Sequence, residues 1–172
     1  MLFRSRKEKL AIEDVASITL RFPSSGTHCI DNNPLKSHCA QYILPVALSR
    51  EGLNVLDLFN DRRKTDKEVA RLSGHVAVVK DDDLDKGFPN SYETIIEVKA
   101  QSGKTFSGRS GIARGYPEAP LSEVDVQAKF DKLAGTVAAP DRVANLAACI
   151  RGLWNAPNMT AYADLMRAPA KG

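Results

Sequence analysis

Nothing in the 172 residues approaches the roughly 18 consecutive apolar positions that a membrane-crossing helix needs. Met1-Leu-Phe-Arg-Ser-Arg-Lys-Glu-Lys9 has charge but no apolar stretch behind it, so it does not read as a secretory signal. Cysteine is scarce. Cys29, Cys39 and Cys149 are odd in number and lack a framework spacing, so reduced thiols and a cytoplasmic location are expected. A dense basic block is missing too. Arg62-Arg63-Lys64 is the longest run, Asp66 follows it, and the net charge is only +3, so no nucleic-acid partner is expected. The glycines between Gly103 and Gly111 lack the Lys-Ser/Thr ending of a phosphate loop. Asp81-Asp82-Asp83 lacks the spaced ligands and glycine of a calcium loop and reads as a solvated turn. No internal repeat or low-complexity segment is present.

What remains is ordinary globular composition, with 43% hydrophobic and 26% charged residues. Residues 1–172 read as one domain with an ordered core over about 12–167, preceded by a charged lead-in. Ala16 to Phe22 alternates as a half-buried strand, with Ile18, Leu20 and Phe22 on one side. Asn33-Pro34 predicts a helix start, and Leu35, Cys39, Tyr42, Ile43, Val46 and Ala47 share one helical face. Pro45 predicts a kink or early end there, and Gly52 closes the segment. Short helices are expected near Val55–Phe59 and Lys67–Ser73, then strands over His75–Asp81, Tyr92–Ala100 and Thr105–Ala113. Asp81 to Asp83 and Gly87 to Asn90 form a polar loop between the first two of these strands, and Gln101-Ser-Gly-Lys104 turns the hairpin that joins the last two. Ser122 with Asp125 forms a capping box for a helix that buries Val126, Phe130, Leu133 and Ala134, with Leu121 stapled onto Val126. Pro140 starts another helix, whose face is Val143, Leu146, Ala147, Ile150, Leu153 and Trp154, and a last short helix covers Thr160 to Met166. The order β-α-α-α-β-β-β-α-α predicts an α+β fold: a four-stranded, mostly antiparallel sheet covered by helices on one face.

One stretch is oddly polar for a helix start: His28-Cys29, Asn32-Asn33, Lys36, then His38-Cys39-Ala-Gln-Tyr42. A zinc site is disfavoured, because adjacent His-Cys pairs do not converge on one ion and usual ligand pairs are separated by about two to four residues. A thiol nucleophile lacks a surrounding signature, and Cys39 reads as a small buried hydrophobe. Two readings stay open for the rest. His28, Asn32, Asn33, Lys36 and His38 could form a wall that binds an anionic substrate through cations and unpaired helix-start amides. Alternatively, the asparagines only cap and turn while the imidazoles are solvated.

The order of these pieces resembles the C-terminal domain of the MmgE/PrpD family, which includes 2-methylcitrate dehydratase, cis-aconitate decarboxylase and iminodisuccinate epimerase. The resemblance rests on Ile12-Glu-Asp-Val-Ala-Ser-Ile-Thr-Leu20, Asn-Asn-Pro followed by His38-Cys-Ala-Gln-Tyr42, Gly52 to Phe59, Thr94 to Phe106 and Pro120 to Ala134. His-Cys-x-Gln-Tyr after Asn-Asn-Pro resembles the methylcitrate dehydratase branch most. It implies a lyase acting on di- or tricarboxylates without metal or organic cofactor, by removing a proton α to a carboxylate. In that family a larger helical domain supplies most acid–base groups. No such domain precedes the entry strand here, so this chain alone is expected to be inactive. Its expected partners are a small carboxylate and either a second copy or a separate helical-domain chain. A stand-alone interaction or assembly module derived from that domain is the alternative.

Overall fold

The computed structural model describes residues 10–49, 53–87 and 90–167. The chain divides into two compact units, Met1–Ala113 and Arg114–Gly172. Among the described residues all strands lie in the first unit: β1 (Val15–Pro23), β2 (Val76–Asp81), β3 (Thr94–Ala100) and β4 (Thr105–Ser110), in spatial order β2-β1-β3-β4. The α+β expectation holds, with one refinement. The sheet is mixed, because β2 runs parallel to β1 while β1–β3 and β3–β4 are antiparallel. The parallel pair requires a crossover, which residues 24–75 supply with helices α1 (Ala40–Leu48) and α2 (Lys67–Ser73).

Simple alternation does not describe β1. Val15 pairs with Ala100 but Ser17 pairs with Lys99, so Ala16 is an extra residue forming a β-bulge. That shift brings Val15 onto the core side together with Ile18, three residues on, and both are fully buried. On the same face lie Val76, Ile96 and Val98, covered by Tyr42 and Val46 of α1 and by Val69 and Leu72 of α2. The β3–β4 turn follows its glycine: Gly103 has φ +85° and its N–H donates to the Ala100 carbonyl at 2.9 Å.

Several expected boundaries move. The helix foreseen from Asn33 begins only at Ala40. Asn33 Oδ1 accepts from Leu35 N at 2.8 Å, Lys36–His38 form a 3-10 turn, and both Leu35 and Cys39 are extended. Leu35, assigned to the apolar face, is therefore 63% exposed, whereas Cys39, Tyr42, Val46 and Ala47 are buried as the pattern predicts. Pro45 sits inside α1, which runs three residues further before Ser49 N closes onto the Pro45 and Val46 carbonyls. Gly52, the expected stop, lies outside the described residues, as do residues 1–9 of the lead-in and Phe88-Pro89 of the polar loop. Val55–Leu58 is a 3-10 turn, and β4 ends at Ser110 rather than Ala113.

In the aspartate run Asp82 and Asp83 are exposed, as a solvated turn requires, but Asp81 is not. Asp81 is buried, caps the four-residue α3 (Asp82–Asp85) by accepting from Asp83 N and Leu84 N, and pairs with Arg21 at 2.6 Å. Ser24 Oγ donates to Asp82 at 2.5 Å and Ser25 Oγ to Asp85 at 2.6 Å, fastening the turn after β1 to α3.

The second unit is helical: α4 (Glu123–Ala134), α5 (Pro140–Gly152) and α6 (Thr160–Arg167). Ser122 and Asp125 form the expected capping box. The expected buried line of α4 is not realised: Phe130 and Ala134 are half-buried, Val126 and Leu133 exposed, and no residue of that helix is fully buried. In α5, Val143, Leu146 and Ala147 are buried as expected, but Ile150 is exposed and Trp154, placed on the core line from its spacing, is 96% exposed.

The bulge makes Ile18 the centre of the sheet's core, with both neighbouring strands paired to it. Ile18→Ala should destabilise the first unit by about 2–5 kcal/mol, read as a lower urea midpoint at an unchanged slope.

Candidate functional site

The polar stretch folds into a closed loop rather than a helix start. Ala40 N donates to the Ile30 carbonyl at 2.9 Å, closing the segment on itself. Asn33 Nδ2 donates to the Cys29 carbonyl at 2.7 Å, and with Oδ1 already taken by Leu35 N, both ends of this side chain serve the loop. Asn32 adopts a left-handed backbone with φ 49°, a conformation that asparagine tolerates better than most residues. Its backbone N–H donates to Gln41 Oε1 at 2.8 Å, and its side-chain Nδ2 donates to Asp31 Oδ1 at 3.0 Å. Gln41 Nε2 donates to that same Asp31 oxygen at 2.7 Å.

His28 and His38 are exposed on this loop. His28 Nε2 lies 3.3 Å from Cys29 Sγ, and His38 Nδ1 lies 2.9 Å from Ser37 Oγ. His75 is also exposed, with Nδ1 2.9 Å from the Arg71 carbonyl. Each imidazole thus has a partner close by in sequence, and none is buried with a second acid–base group. Among the described residues no three His, Cys, Asp or Glu side chains gather where a metal ion could be held. Lys36 reaches from the loop's edge toward the next segment: its ammonium donates to the Phe59 carbonyl at 3.3 Å.

That contact brings the loop against residues 57–63, whose part the sequence reading missed. Tyr42, fully buried, anchors the neighbourhood. Its hydroxyl donates to the Asp57 carbonyl at 2.6 Å, lies 3.1 Å from the Asn60 carbonyl, and accepts from Arg62 N at 3.2 Å. The Arg63 guanidinium stacks over the Tyr42 ring, 5.2 Å from its centroid, and grips Asp61 through Nε at 2.9 Å and Nη2 at 2.6 Å. Arg62 reaches Asp66 at 3.1 Å and Asp57 at 3.7 Å. In the sequence Arg62 and Arg63 stood out only as part of the longest basic run, and the spacing of Asp57, Asp61 and Asp66 around them was the hint of this pairing.

The electrostatics follow from this pairing. The Arg63 hydrogen bonds hold the Asp61 carboxyl below its usual range, and the nearby Lys36 ammonium helps. Asp61 in turn raises Arg63. An open depression runs along this segment, yet Asp57, Asp61, Asp66 and Glu68 line it against Arg62, Lys64 and Lys67. Four carboxylates facing three cations make a poor seat for a multiply charged anion. The exposed loop bearing His28, Lys36 and His38 is the better candidate for carboxylate contact. Asn32 and Asn33 contribute to it by shaping the backbone.

Because the folded Asp61 titrates below the unfolded residue, its pairing adds stability in full above the unfolded value, and that contribution fades as pH falls through the folded one. Asp61→Asn should therefore cost about 0.5–1 kcal/mol near neutral pH, since the pair is partly solvated. It should also flatten the acid limb below about pH 4, measured by urea midpoints across pH.

The segment from β1 through the closed loop, the β3–β4 hairpin and the capped α4 falls within one stretch that matches a known family. Residues 2–153 match the family described as the MmgE/PrpD C-terminal domain. No curated protein matches the chain. With most of its length covered, including every strand of the sheet, this chain belongs to the MmgE/PrpD C-terminal domain family.

Proposed function

We propose that the chain is the C-terminal portion of a 2-methylcitrate dehydratase-like lyase. It presents the loop of His28, Lys36 and His38 to a di- or tricarboxylate, while a helical domain supplies the proton-transfer groups. Family membership over residues 2–153 is the observation that carries this reading. The elimination requires that a base take the proton α to a carboxylate. The electron pair of that C–H bond becomes the new C=C bond, and the hydroxyl leaves with a proton as water. Cations must meanwhile neutralise the carboxylates, because charge builds on the one next to the carbanion. The loop offers one ammonium and two solvated imidazoles for this binding task. It offers no buried base–acid pair, so proton transfer is assigned outside this domain.

A second reading, an interaction or assembly module, is favoured by one observation. Val124 at 78%, Val137 at 59% and Trp154 at 96% exposure leave the helical unit with apolar surface that its own helices do not cover. Such a surface suits a helical-domain chain or a second copy.

The purified chain should show no turnover of 2-methylcitrate, while citrate shifts the amide resonances of residues 28–38. Turnover by the chain alone would overturn the division of labour, and unmoved resonances would overturn the carboxylate-binding role. In sedimentation velocity the chain should self-associate or co-sediment with a family helical domain. A monomer that ignores that domain would remove the assembly reading.

A further inference from the structure

We infer that Gln41 is the positioning residue of the proposed carboxylate-binding loop, a role that rests on the function proposed above. Gln41 is the second residue of α1 and is buried, at a position where packing alone would select an apolar side chain. A buried amide is costly unless both its ends are satisfied. Here both ends reach back to the loop: Oε1 accepts from the Asn32 backbone at 2.8 Å, and Nε2 donates to Asp31 Oδ1 at 2.7 Å. The Cys39 thiol adds a longer contact to the same Oε1, at 3.7 Å. One side chain therefore grips two consecutive loop residues from a rigid helix, and one of the two holds the unusual φ of 49°.

The consequence is geometric. His28 and Cys29 precede the gripped pair, and Lys36 and His38 follow it. The Asn33–Cys29 and Ala40–Ile30 bonds fix the loop's internal shape, but both depend on the chain reversing at residues 31–32. Gln41 is the buried side chain that enforces this reversal. It touches no proposed ligand contact itself and acts by setting where the cationic groups stand. Asp31 is the matching half of the latch: it accepts Gln41 Nε2 and Asn32 Nδ2 on one oxygen.

Two variants of the full chain test this, with amide exchange and a citrate titration as the readouts. Gln41→Leu keeps the volume and removes the latch. Its core methyl resonances should stay in place while the Asn32 amide exchanges about tenfold faster, and the citrate-induced shifts at Lys36 and His38 should shrink. Gln41→Glu sets a carboxylate against Asp31. It should behave like the leucine variant near pH 7 and recover toward wild type below about pH 5, where the two carboxyls share a proton. A merely structural role predicts no such recovery. Wild-type exchange and citrate response in a folded Gln41→Leu chain would overturn the inference. If that variant fails to fold, the glutamate variant decides alone, since absence of any pH-dependent recovery overturns the latch. A wild-type chain whose loop ignores citrate would instead overturn the proposed ligand, while the exchange comparison still decides whether Gln41 holds the loop.

Discussion

The larger unit depends on the requirement that polar groups carried into a buried helix find partners. The start of α1 is pulled into the core by Tyr42, Val46 and Ala47, and that burial carries the Gln41 amide and the Tyr42 hydroxyl inward too. An unpaired group there would cost about 1–3 kcal/mol. The two side chains resolve this in opposite directions: Gln41 reaches N-terminally to Asp31 and Asn32, and Tyr42 reaches C-terminally to the backbone of residues 57–62. The segments on either side of the helix are thus tied to neighbouring residues. No buried side-chain nitrogen or oxygen among the described residues is left without a partner.

That arrangement also explains why the charged neighbourhood is calm. Lys36, Arg62 and Arg63 sit near Asp57, Asp61 and Asp66, and the pairing leaves little unbalanced field along residues 57–68. The loop before α1 presents exposed imidazoles over a scaffold hydrogen-bonded by asparagine and glutamine. Recognition and support are divided between different residue types. The side chains that could meet a carboxylate are solvated, and those that shape the loop use their hydrogen-bonding atoms on one another.

Sequence patterns made the sheet legible because period-2 alternation and turn glycine act locally. Ile96, Val98 and Gly103 all fall where alternation and turn chemistry place them. The bulge at Ala16 did not show, since one inserted residue leaves the alternation of Ile18, Leu20 and Phe22 intact downstream. The helix from Asn33 was misplaced for a related reason. Asn-Pro suits a cap and a turn equally, and the choice depends on Gln41, eight residues away and inside another element's pattern. Helical periodicity overreached at Leu35, Val126 and Trp154. It reports which face is apolar but not whether anything covers it. Family resemblance added what periodicity could not, by ordering these pieces into a recognisable domain.

The position of β1 within the sheet has a consequence for synthesis. Strand order β2-β1-β3-β4 places the strand made earliest between two that are made much later, the nearer of them beginning at Val76. As the chain leaves the ribosome, β1 has both hydrogen-bonding edges bare until more than half of the larger unit has emerged. Closure over so long a separation is entropically slow. During that interval Val15 and Ile18 are exposed on a strand able to pair with any extended neighbour, so nascent β1 carries a risk of misassociation that the finished sheet removes.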